Sequence, residues 1–180
     1  MINRIIFCSL LIVSIIFCQT AETKVDSQVN NNSSEYDLLN FQEQWIQLLN
    51  KLEENGYDSL SYEEKVRFNV WVLNDAIING GFVSYFYNPD GEYAEEALKS
   101  LDAIGAVKTR EMLRKVMDLF PGGKPSKDID ERNQAIDSWD DSVEDLLTGF
   151  DDTYYSREEN VEKLLYEYIL VSKVYINFEK

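Results

Sequence analysis

Five carboxylates recur at helical spacing late in this chain: Asp137, Asp140, Asp141, Glu144 and Asp145, with Trp139 beside them. No basic residue lies between Arg132 and Arg157 to offset them. Like charges at i,i+4 cost a helix roughly 0.2–0.5 kcal/mol per pair, so a stripe kept without relief is a candidate surface for a basic partner. Glu92, Glu95, Glu96 and Asp102 offer a second stripe. The competing reading of either is a solvated acidic face.

Other chemistry is poorly provided for. The chain has no histidine, which removes the commonest general base and metal ligand and every Ser-His or Cys-His nucleophile pair. Its two cysteines, Cys8 and Cys18, both lie in the first 18 residues and leave the body no disulfide, redox pair or thiolate metal site. Asp128-Ile129-Asp130 with Glu131, and Asn88-Pro89-Asp90-Gly91-Glu92, resemble calcium loops only loosely. Neither has the EF-hand positions for glycine and the bidentate glutamate. Asp128 reads instead as a helix cap with Arg132 as an ionic partner, and Asp151-Asp152 as the start signal of a helical turn. Pro121-Gly122-Gly123-Lys124 lacks the spacing of a phosphate loop, and no carboxylate pair stands out as acid and base. The expectation is a protein that binds and does not catalyse, with no cofactor and no metal.

Such a protein has to be carried by its body and its leader. Hydrophobic residues make up 44% of the 180 and aromatics 13%, enough for one domain with a real core. The net charge is −16, and becomes −17 without residues 1–18, which hold Arg4 and no acid. That field disfavours direct contact with nucleic acid or anionic membrane and favours basic surfaces.

Residues 1–18 read as a signal peptide: Arg4 precedes an apolar or small run from Ile5 to Cys18, about 14 residues and short of the roughly 20 that span a bilayer. Cys18 is a candidate lipidation site, although Phe17 stands where a lipoprotein signal has a small residue. Ordinary cleavage after Thr20 or Ala21 is the alternative. Membrane contact is expected only through a lipid at Cys18. Residues 19–35 are polar, without apolar period, and read as a disordered tether.

Helical periodicity dominates residues 36–180. The first expected helix covers about residues 36–54, with Leu38, Phe41, Trp45, Leu48, Leu49 and Leu52 on one face. The second opens on a capping box, Ser61 with Glu64, and ends at Asn79-Gly80-Gly81. A short aromatic segment, 82–87, precedes the Asn88-Pro89-Asp90-Gly91 turn. Helices over about 92–104, 108–119, 130–147 and 157–178 complete a compact all-α bundle of about six to seven helices. The inward face of the last includes Val161, Leu165, Tyr168, Ser172 and Tyr175. Phe82, Tyr85 and Phe86 read as core, and Gly80 and Gly81 as a helix end that permits a tight reversal.

Asn79-Gly80-Gly81-Phe82, Tyr85-Phe86, Asn88, Gly91 and Ile104-Gly105-Ala106 form a run that resembles the DMP-type DNA-mimic domain family. The resemblance continues through Phe120-Pro121-Gly122-Gly123, Asp128, Arg132 and Asp151-Asp152 to Tyr154 and Tyr155, spanning about residues 38–168. It implies an all-helical fold, strong acidity and imitation of duplex DNA toward a DNA-binding protein. DNA carries a phosphate every ~3.4 Å on each strand, whereas a helical acid stripe repeats every ~5 Å, so a mimic must combine helices. The leader would place the partner outside the cytoplasm. Two other readings stand beside the mimic: an immunity-type protein that neutralises a basic, nuclease-like toxin, and an envelope lipoprotein of structural role. A homodimer is left open.

Overall fold

The computed structural model describes the backbone of residues 31–172 and side chains from residue 41 to residue 172. The expected signal peptide with Cys18, most of the expected tether and Tyr175 lie outside the described residues. Among those residues the chain is all helical, with seven α-helices and no strand. They are α1 (Asn31–Asn55), α2 (Tyr62–Tyr87), α3 (Ala94–Ile104), α4 (Val107–Met117), α5 (Ile129–Asp137), α6 (Asp141–Tyr155) and α7 (Val161–Ser172). Residues 1–40 and 41–180 separate into two units, and of the first only the helical backbone of residues 31–40 is described. Helix α1 therefore begins within the stretch read as a tether. Asn and Ser cost only roughly half a kcal/mol each in a helix, little enough for an established helix to extend through them.

In the second unit α2 is the central element, packed against α3, α5, α6 and α7. Its capping box forms: Glu64 N–H donates to Ser61 Oγ (3.2 Å) and Ser61 N–H donates to Glu64 Oε2 (2.6 Å). Val66, Val70, Leu73 and Ile77 then meet Leu101, Leu113, Met117 and Leu165 in one core. A second cluster, Leu48, Leu60 and Phe68, joins α1 to α2. There the fully buried Arg67 donates from Nη2 to Phe41 O (2.9 Å), and its guanidinium lies 4.3 Å from the Phe41 ring centroid.

Two expected helix boundaries move. The single helix expected over residues 130–147 is two, α5 and α6, separated at Ser138–Trp139–Asp140. Trp139 packs edge-on against Phe120 (5.1 Å), and Asp140 caps α6, so chain direction changes without breaking the apolar pattern. The last helix starts at Val161 and not at Arg157. Asn160 Oδ1 accepts the Lys163 N–H (2.9 Å), a cap that fixes the start there.

Candidate functional site

The acids of the first stripe surround the α5–α6 turn. Asp137 ends α5, Asp140 is the N-cap of α6, Asp141 is its first residue, and Glu144 and Asp145 follow in its first turns. All five are exposed, and among the described residues no ion pair reaches any of them. Asp137 instead accepts the Tyr87 hydroxyl (2.6 Å). Asp140 Oδ1 accepts the Ser142 hydroxyl (2.5 Å) and the Ser142 N–H (2.9 Å), which hold this carboxyl below its ordinary range.

This arrangement corrects the picture of one continuous, self-repelling stripe. Carboxylates in a first helical turn face the positive end of the helix dipole, which offsets their mutual repulsion. The anionic patch is thus supported by the N-terminus of α6, and its geometry is that of a turn.

The second stripe has another fate. Glu95 lies 3.8 Å from Arg114, and Asp102 lies 2.6 Å from Arg110, both across the α3–α4 pair. Glu92 and Glu96 line a solvent-open cleft of about 360 Å³ with Tyr57, Asp58, Tyr93 and Lys127. Sequence reasoning had not singled out Tyr57 or Asp58; they follow the Gly56 stop of α1, where only a loop was expected.

The glycine motif is clasped from α6. Helix α2 is interrupted at Gly80 and Gly81, the latter at φ 75°, ψ 178°, a backbone region essentially reserved for glycine. The Phe82 N–H donates to Asp151 Oδ1 (2.8 Å), so this carboxylate caps the second segment of α2. Tyr155 donates its hydroxyl to Ile77 O (2.7 Å), and Tyr154 donates to Asn74 Oδ1 (2.5 Å). Asp151 therefore starts no new turn of its own helix. It sits inside α6 and serves a different one.

Arg132 closes the other end of α2. Fully buried, it donates from Nε to Phe86 O (3.0 Å), from Nη1 to Ser126 O (2.8 Å) and Lys127 O (3.0 Å), and from Nη2 to Asn88 O (2.8 Å). Burial pushes its pKa down, while Glu92, Asp128 and Asp90 oppose that through space. The expected ion pair with Asp128 is replaced by these carbonyls. Asp128 itself caps α5, accepting from Asp130 N–H (2.9 Å) and Glu131 N–H (3.1 Å). Gly91 allows the approach, since a Cβ there would meet Tyr85 O at 2.9 Å and Arg132 Nε at 3.1 Å.

Phe82, Tyr85 and Phe86 have no exposed surface, so the aromatic motif lies wholly in the core. Among the described residues no group of three or more His, Cys, Asp or Glu is placed to hold a metal ion, and no helix is long and apolar enough to cross a membrane. The cleft beside the motif, lined by Asn74, Tyr154, Tyr155 and Arg157, encloses about 160 Å³, too little for most ligands.

The Gly-Gly break, the α6 clasp and the buried arginine all fall within residues that match a known family. The family model for DMP19-like proteins matches residues 58–172, more than half of the chain, and the chain belongs to this family. No curated protein and no solved structure matches it.

Proposed function

We propose that this protein is a non-enzymatic acidic binder of basic proteins, using the carboxylates of the α5–α6 turn where such partners bind nucleic-acid phosphate. The observation that carries the reading is the exposed group of Asp140, Asp141, Glu144 and Asp145, which no ion pair among the described residues neutralises. Membership of the DMP19-like family, whose name is tied to DNA mimicry, supports the same direction. The mature charge of −17 adds long-range attraction for a cationic surface.

The test is affinity capture with the mature chain, followed by binding at two salt concentrations and competition with duplex DNA. A partner released by salt and displaced by DNA supports the mimic. Together, Asp137→Asn, Asp141→Asn and Glu144→Gln should weaken binding at least roughly tenfold while preserving the helical spectrum, because charge-assisted contacts are among the stronger hydrogen bonds. Unchanged affinity with an unchanged salt slope would reduce the turn to a solvated face.

The N-terminal run supports export, with Cys18 as a candidate lipid attachment point and release after ordinary cleavage as the alternative. Cys18→Ala should then abolish detergent partitioning and lipid labelling; identical soluble fractionation of both forms would dismiss the anchor.

A further inference from the structure

We infer that Asn55, the last residue of α1, is a site of spontaneous deamidation, with water as the co-reactant and an aspartyl or isoaspartyl residue as the product. The chain holds two Asn-Gly pairs, Asn55-Gly56 and Asn79-Gly80. Such pairs are the reactive ones because glycine leaves its amide nitrogen sterically open to the preceding carboxamide. Both asparagines are exposed, so exposure does not choose between them. Backbone freedom does.

The reaction needs the Gly56 nitrogen to reach Asn55 Cγ. Once that nitrogen has given its proton to water or hydroxide, an N–Cγ bond forms and the Cγ–Nδ2 bond breaks, with Nδ2 leaving as ammonia. Water then opens the five-membered imide at Cγ, giving aspartate, or at the backbone carbonyl carbon, giving isoaspartate. One water enters, one ammonia leaves, and nothing is oxidised. A helical ψ at the asparagine holds the two reacting atoms apart, so the peptide plane between residues 55 and 56 must turn first.

At Asn55 little resists that turn. Glu53, Glu54, Asn55 and Gly56 are all exposed, and the Asn55 carboxamide makes no hydrogen bond among the described residues. Turning the plane releases one hydrogen bond, from Gly56 N–H to Leu52 O (2.9 Å). Gly56, at φ 79°, can counter-rotate to keep the course of the chain, and a Cβ built there would meet no heavy atom within 4 Å. Tyr57 beyond it stays stacked on Tyr93 (4.0 Å), which confines the opening to the last turn of α1. Asn79 is held instead. Its Nδ2 donates to Asp75 O (2.8 Å), and the space beside Gly80 is taken by Ser84 at 3.0 Å. The backbone on either side is tied to α6, by Tyr155 at Ile77 O (2.7 Å) and by Asp151 at the Phe82 N–H (2.8 Å). At Asn55 the new carboxylate stands at the negative end of the α1 dipole, close in sequence to Glu53, Glu54 and Asp58, and so loosens the turn that formed it.

The test is peptide mapping by mass spectrometry after incubating the purified protein at mildly alkaline pH, both folded and in urea. Trypsin places the two pairs in separate peptides, residues 52–65 and 68–99. In urea both asparagines should convert at similar rates. In the folded protein Asn55 should convert at least roughly tenfold faster than Asn79, the factor that the additional hydrogen bonds around Asn79 supply. Electron-driven fragmentation should find the isoaspartyl form at position 55 beside the aspartyl form. Asn55→Gln should keep the helical spectrum and remove the first acidic variant to appear on anion exchange. Conversion of Asn79 as fast as that of Asn55 in the folded protein, an Asn55 that reacts only in urea, or persistence of that acidic variant in Asn55→Gln would overturn the inference.

Discussion

The carboxylate of Asp151 occupies the space a side chain at Gly81 would need: a Cβ built there would lie 2.2 Å from Asp151 Oδ2 and 2.7 Å from its Cγ. The same carboxylate accepts the Phe82 N–H, so the glycine and the acid are complementary halves of one helix junction. Gly81→Ala should cost at least about 2 kcal/mol, from the backbone region and the contact together. Asp151→Ala should cost about 1 kcal/mol through the lost cap. The double variant should be more stable than the sum implies, because removing the carboxylate relieves the contact and leaves only the backbone strain. Urea unfolding of the four proteins measures this, and simple additivity would contradict the arrangement.

Helix α6 carries two acids that titrate in opposite senses. Burial raises the Asp151 carboxyl above the usual aspartate value of 3.8, against the pull of the Phe82 N–H. The Ser142 hydroxyl and N–H lower that of Asp140. A raised folded value means that Asp151's stabilising contribution is complete below its unfolded pKa and lost as pH rises through its folded one. For Asp140 the contribution is present above the unfolded pKa and lost as pH falls through the folded one. Carboxyl NMR titration should place the two on opposite sides of 3.8. Asp151→Asn should gain on the parent in unfolding midpoint between pH 3 and pH 6; a constant difference would refute the assignment.

Arg132 should tolerate no replacement. Its buried guanidinium satisfies carbonyls of Phe86, Asn88, Ser126 and Lys127, which come from two chain segments. Arg132→Met leaves these acceptors without their donor and should cost about 3–5 kcal/mol by denaturant titration. Arg132→Lys should recover only part of this, because an ammonium cannot reproduce the planar fork.

Arg157 is the one non-glycine residue with positive φ (56°) among those described. Its side chain is exposed, and its pair with Glu162 is long at 3.8 Å, so little is lost by removing it. Arg157→Gly should raise stability by up to about 1 kcal/mol, as the left-handed penalty of a side chain exceeds glycine's entropy cost. A lower melting temperature would show that the arginine has a contact of its own.

Much of the fold is written locally. Ser61 and Glu64 announce α2, and the apolar spacing of Val66, Val70, Leu73 and Ile77 gives its buried face. The break at Asp140 was masked because Ile136, Trp139, Val143 and Leu147 keep helical spacing across it. Only the run Asp140-Asp141-Ser142, an N-cap followed by acid, marks the start of α6. The partners of Arg132 and Asp151 were illegible for another reason. Apart from Ser126 and Lys127 beside Arg132, they are backbone groups 44–69 residues away, and a carbonyl or N–H has no identity in sequence. For the candidate site, the exposure of the first stripe followed from its charge. The neutralisation of Glu95 and Asp102 did not, since it depends on how α3 lies against α4.

The interruption of α2 divides the longest interior helix into portions with different allegiances. Residues 62–79 are tied to α1 through Arg67 and the Lys51–Glu64 pair as well as to α6 through Tyr154 and Tyr155, whereas residues 82–87 are held at one end by Asp151 of α6 and at the other by Arg132 of α5. In amide exchange the shorter portion should therefore open together with the C-terminal helices and not with the rest of its own, so that the cooperative boundary of the molecule falls within a helix, at the glycine pair.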